Sequence, residues 1–90
     1  MSVRDSAHAT RERDSAFTRA RRRKYADELI DDYVSWHEAC DMVAEAYEGW
    51  TCAERHDRPL AFGLYVSALD REERAATAYQ AAVARLAAAA

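Results

Sequence analysis

From Ala26 onward the inward-type side chains fall at Ala26, Leu29, Tyr33, Trp36, Cys40, Val43, Tyr47 and Trp50, in steps that alternate 3 and 4 without a fault. That heptad stripe fits a long helix lying against another helix, and it does not fit the two-residue period of a strand. A second stripe follows at Phe62, Tyr65, Leu69, Glu72, Ala76, Tyr79, Val83 and Leu86. Between the two stands "CAERHDRPL", which holds the chain's one proline, Pro59. Proline lacks an N–H and its ring meets the preceding turn, so it breaks a helix interior but is tolerated in a first turn. Asp57 is placed to cap a helix that begins there.

Little else interrupts either stripe. The ninety residues include only two glycines, and twenty-one are alanine, the best intrinsic helix former. The pattern predicts a first helix over about 15–54, a turn over about 55–58 and a second helix over about 59–88. Residues 1–14, "MSVRDSAHATRERD", show no apolar period and read as a flexible basic arm. Two parts are therefore expected, the arm over 1–14 and a helical hairpin over 15–90. The fold class is all-α, a long antiparallel two-helix hairpin.

So short a connection makes the helices antiparallel neighbours. With the turn centred near residue 56, positions whose numbers add to about 113 face each other. Trp36 then lies opposite Ala76, Tyr47 lies near Tyr65 and Val66, and Gly49 meets Gly63 in an expected close approach. Beside the second stripe, Ala61, Ala68, Ala75, Ala82 and Ala89 recur every seventh residue, a smooth flank for a neighbouring helix. Two helices cannot enclose a core, however. Ile30, Val34, Met42, Leu64 and Val66 fall outside both stripes and would be wet in a lone hairpin. The simplest remedy is a homodimer forming a four-helix bundle; the other is a groove on a protein partner. The residues expected to carry such an interface are Leu29, Tyr33, Trp36, Val43 and Tyr47, continuing with Trp50, Phe62, Tyr65, Leu69 and Tyr79.

The segment "SWHEACDMV" gathers metal-ligating side-chain types. On a helix His37, Cys40 and Asp41 share one face while Glu38 turns toward water. The hairpin register brings Glu72, the one charged member of the second stripe, opposite this turn. A carboxylate in a seam needs a partner, and His37, the Trp36 indole or a tyrosine hydroxyl can supply one. The two readings are a metal or acid–base site built from His37, Cys40 and Glu72, and a polar contact that fixes helix register. The second is preferred, because three ligands are thin for a metal and the Glu-x-x-His pairs of di-iron bundles are absent. Cys52 and His56 form a second i, i+4 pair near the turn, which could supply half of a zinc site; the preferred reading is a semi-buried cysteine and a solvated loop histidine. Cys40 and Cys52 lie twelve residues apart, about 18 Å along one helix, too far for a disulfide.

Charge is divided unevenly. Residues 1–24 carry eight basic and three acidic side chains, and the remainder carries five basic and thirteen acidic. In "RARRRKY" the basic residues Arg19, Arg21, Arg22, Arg23 and Lys24 are suited to phosphates, with Tyr25 available to stack. Nucleic-acid binding of that kind would be electrostatic and independent of sequence. The competing reading is internal neutralisation, through Arg23 with Asp27, through Lys24 with Glu28, or by docking of the arm on the acidic body. No phosphate-binding glycine loop, nucleophile elbow or Ser/His/Asp set is present, and no small-molecule substrate or cofactor is implied. No apolar run reaches the length of a membrane span, and the N-terminus lacks the apolar stretch of a secretory signal. A cytoplasmic, non-enzymatic interaction module is the expectation.

The length, the helix–turn–helix plan and a tryptophan near the turn resemble the small secreted helical hairpins that carry a Trp-x-Gly turn. Here the order is Gly49-Trp50, inside the helix, and Tyr79 is followed four residues on by Val83 rather than an acidic residue. The resemblance therefore implies architecture and no functional residue. The blocks "AYEGW", "RPLAFGLYVSAL" and "REERAA" also resemble small uncharacterised actinobacterial proteins, which implies no activity.

Overall fold

In the computed structural model of the protein the described residues run from 3 to 89, with side chains described from Arg13. The chain forms two helices, α1 over Val3–Thr51 and α2 over Arg58–Ala89, folded back on each other as a hairpin. Among the described residues there is no strand. The molecule is a rod of 82 × 14 × 13 Å with a radius of gyration of 22.5 Å. A compact chain of this length would have a radius of about 12 Å.

The turn follows from Pro59. A proline cannot lie inside a continuous helix, so the break comes just before it. The amides of Asp57 and Arg58 both donate to the Glu54 carbonyl, at 2.9 and 3.1 Å. Asp57 takes the cap position, its carbonyl accepting from the Ala61 amide at 3.0 Å, and Pro59 falls in the first turn of α2. The expected boundaries shift slightly, with α1 ending at Thr51 and α2 starting at Arg58.

The expectation of a flexible arm over 1–14 is corrected for the described residues. The backbone of α1 begins at Val3. Helix growth needs no apolar face once a nucleus exists, and Arg4, Ala7, Ala9, Arg11 and Glu12 are good helix formers with no breaker among them. Ala89, at the end of α2, comes level with about residue 24 of α1 by hairpin geometry. Residues 3–23 of α1 therefore overhang α2, a length of about 31 Å at 1.5 Å per residue.

The expected register holds. Arg85 meets Glu28 across the hairpin at 3.7 Å, Tyr33 lies 5.6 Å from Tyr79, and Tyr47 lies 5.5 Å from Tyr65 between ring centroids. The line of closest approach, however, runs along alanines. The buried residues are Ala39, Ala68 and Ala82, and Ala82 is only 1% exposed. Ala61, Ala75 and Ala89 are half-buried in the same column. Small side chains let the backbones approach, so the two helices roll toward this column and away from the row Tyr33–Tyr47. The close Gly49–Gly63 approach does not form: a Cβ at either glycine would meet nothing within 4 Å.

Candidate interaction surface

Two aromatic clusters repeat along the hairpin. Tyr-x-x-Trp occurs at Tyr33–Trp36 and again at Tyr47–Trp50, two heptads on, and each Trp stacks on a tyrosine of α2. Trp36 lies 5.5 Å from Tyr79 at 13°, and Trp50 lies 5.5 Å from Tyr65 at 14°. Phe62 closes the second cluster, 5.1 Å from Trp50. The recurrence of Tyr-x-x-Trp at fourteen residues was the sequence signal for this pairing, because Tyr65 and Tyr79 are spaced identically on the antiparallel partner.

Between the clusters the Trp36 indole Nε1 donates to Oε1 of Glu72 at 2.8 Å. This settles which donor serves the seam carboxylate. His37 stands outside the contact, exposed, with its ring 4.4 Å from Tyr33 and 5.5 Å from Trp36. The set His37, Cys40 and Glu72 is therefore not brought together, and no three His, Cys, Asp or Glu among the described residues could hold a metal ion. The reason is geometric: His37 projects to the side of the stripe, where no residue of α2 faces it. Cys40 is half-buried and Cys52 exposed, both free thiols. His56 lies between Glu54, at 3.8 Å, and Asp57, at 3.4 Å, away from any sulfur partnership.

The ten side chains expected to carry an interface divide into two groups. Leu29, Trp36, Val43, Trp50, Tyr65 and Tyr79 are half-buried between the two helices. Tyr33, Tyr47, Phe62 and Leu69 are 43, 49, 47 and 38% exposed. With Ile30, Val34, Val66 and Val83 they make one open face along the side opposite the alanine column. No large side chain among the described residues is fully buried. On the other side, Met42, Leu60 and Leu64 border a shallow groove of about 620 Å³ floored by Ala46, Gly49 and Ala68.

Arg19, Arg21, Arg22, Arg23 and Lys24 are all exposed, and Arg19–Arg23 lie on the overhang of α1. The Arg21 guanidinium sits 4.9 Å over the Phe17 ring, itself 64% exposed. Among the described residues Lys24 does not pair with Glu28, which reaches Arg85 instead, and Arg23 does not pair with Asp27. The local neutralisation weighed from the sequence is thus absent here, because a cross-helix guanidinium takes Glu28. No helix among the described residues is long and apolar enough to cross a membrane.

No protein-family model matches the chain, and no curated protein or solved structure was found similar to it.

Proposed function

We propose that the protein is a non-enzymatic helical interaction module, acting as a homodimer or against a protein partner through the open face of Tyr33, Tyr47, Phe62, Leu69 and Val83. The observation that carries this reading is the state of the apolar side chains. Among the described residues twelve large hydrophobic side chains are exposed and none is fully buried, and eight of the twelve lie on the open face. A contiguous apolar face of this kind marks a surface that another chain covers. The area agrees: the chain exposes 7283 Å², where a compact monomer of its mass exposes about 5,300 Å². The excess exceeds the roughly 800 Å² per partner of a standard interface.

The test is a photo-crosslinking amino acid placed at Leu69 and, separately, at Val83, activated in native host cells. A discrete adduct is expected at one or both positions, at twice the chain mass for a homodimer and at another mass for a different partner. Absence of any adduct at both positions overturns the reading.

A second reading is favoured by one observation, the full exposure of Arg19–Lys24 where α1 runs beyond α2. Electrostatic binding of nucleic acid there would fall steeply with salt and need Arg21, Arg22 and Arg23. Unchanged DNA or RNA retention after replacing all three by Ala removes it.

A further inference from the structure

One row of α1 is exposed from end to end and is self-complementary. It runs in alternating steps of 3 and 4 from Arg13 to Glu48, on the side of the helix turned away from the alanine seam. Its N-terminal part is Arg13, Ala16, Ala20 and Arg23, all exposed. Its centre holds Asp27, Ile30, Val34 and His37, all exposed, with Ile30 at 57% and Val34 at 48%. Its C-terminal part is Asp41, Ala44 and Glu48, again all exposed. The row carries Arg13 and Arg23 toward one end and Asp41 and Glu48 toward the other, with the aliphatic pair Ile30 and Val34 between Asp27 and His37. Such a pattern complements itself when a second copy is laid alongside in the opposite direction. With positions adding to about 61, Arg13 faces Glu48, Ala16 faces Ala44, Ala20 faces Asp41, Arg23 faces His37, Asp27 faces Val34, and Ile30 meets Ile30 of the second copy beside a two-fold axis.

We propose that two copies dock antiparallel along this row, so that the basic overhang of each lies on the acidic face of the other. This rests on the reading of the protein as an interaction module and commits that module to a second copy of the same chain. Whole segments agree with the row. Residues 13–24 hold six basic side chains and one acidic, and the segment they face, 37–48, holds four acidic side chains and no Lys or Arg. The counter-charge for the overhang is thus supplied within the chain, which favours self-association over nucleic acid as its occupant.

In this pairing residues 10–23 of one copy run alongside residues 38–51 of the other. Residues 24–36 of the two α1 helices run side by side at the centre, with the C-terminal halves of both α2 helices flanking them as four helices. Toward each end the overhang of one copy lies as a third helix along Asp41, Ala44 and Glu48 of the other. The pairing covers Ile30 and Val34 at the centre.

The experiment uses the full chain with Cys40→Ser and Cys52→Ser. Ile30→Cys is expected to oxidise to a disulfide-linked dimer. Chains carrying Arg13→Cys mixed with chains carrying Glu48→Cys are expected to cross-link, while the same mixture under denaturant does not. Arg13→Glu or Glu48→Arg alone should weaken dimerisation in sedimentation equilibrium by about tenfold at low salt, since each pair occurs twice. The combination Arg13→Glu with Glu48→Arg should return it to within about twofold of the parent. A folded monomer at tens of micromolar overturns the proposal, as does a dimer without the 13–48 cross-link or without charge-swap rescue. Loss of DNA retention in Arg13→Glu with an unchanged monomer mass overturns it in favour of nucleic acid. None of these results touches the broader module reading, which fails only if positions 69 and 83 yield no adduct in cells.

Discussion

Trp36 on α1 and Glu72 on α2, thirty-six residues apart, share one hydrogen bond of 2.8 Å from the indole Nε1 to Oε1. It is the only side-chain-to-side-chain hydrogen bond between the helices among the described residues, and it pins their axial register where the apolar stripe alone would allow a slip by one heptad. A bond to a carboxylate in a half-buried seam contributes about 1–2 kcal/mol. Glu72→Ala should therefore lower stability in urea by about that amount, leaving the indole N–H without its partner. Trp36→Phe should cost at least as much, through the same bond and the lost stacking on Tyr79. The double variant Trp36→Phe with Glu72→Ala removes both polar partners, so its cost should fall short of the sum of the single costs by about 1 kcal/mol. Strictly additive single costs would show that the bond does not form.

The alanine column sets how closely the helices run. Ala82 is 1% exposed, whereas its neighbour Ala81 is exposed. Ala82→Leu forces the branched side chain between two backbones and should cost about 1–3 kcal/mol by strain. Ala81→Leu, on the solvent side, should stay within about 0.5 kcal/mol of the parent. Thermal melts monitored at 222 nm read both. Equal effects of the two substitutions would place the seam elsewhere.

Axial pairing was legible because it depends only on the period of the stripes and the place of Pro59. Glu28–Arg85 and Tyr47–Tyr65 meet where that arithmetic puts them. The rotation of each helix was not legible to the same degree. A heptad stripe defines a broad sector of the surface, and within it side-chain size chooses the line of contact. That line fell on Ala39, Ala68 and Ala82, which left Tyr33 and Tyr47 half out of the seam. The helical backbone of residues 3–14 was missed for a different reason: periodicity reports burial, and a helix that projects beyond its neighbour has none to report. At the candidate site, three donors lay within plausible reach of Glu72 in sequence terms. Only the geometry selected Trp36 and left His37 aside.

Removal of metal tests the same geometry from another side. Because the Glu72 carboxylate accepts from Trp36 while His37 packs on Tyr33, no preformed ligand set spans the hairpin. Excess EDTA or stoichiometric zinc should leave the melting temperature within about 2 °C, since binding that favours the folded chain would raise it with ligand concentration. A zinc-dependent rise that disappears in His37→Ala would reinstate the site of His37, Cys40 and Glu72.

Both glycines should be improvable. Gly49 and Gly63 lie in helices, neither has a positive φ, and an added Cβ would meet nothing within 4 Å. Glycine in a helix costs about 0.5–1 kcal/mol relative to alanine, because the unfolded chain is freer and no side chain is gained. Gly49→Ala and Gly63→Ala should each raise stability by roughly that amount, and the double variant by about the sum if the two sites do not share a partner. A close glycine–glycine crossing would give the reverse sign at both positions, since each new methyl would push the helices apart. Urea titrations of the single and double variants separate the two cases. A loss confined to Gly49→Ala would instead mean that a partner seats in the groove of Met42, Leu60 and Leu64, whose floor Gly49 forms.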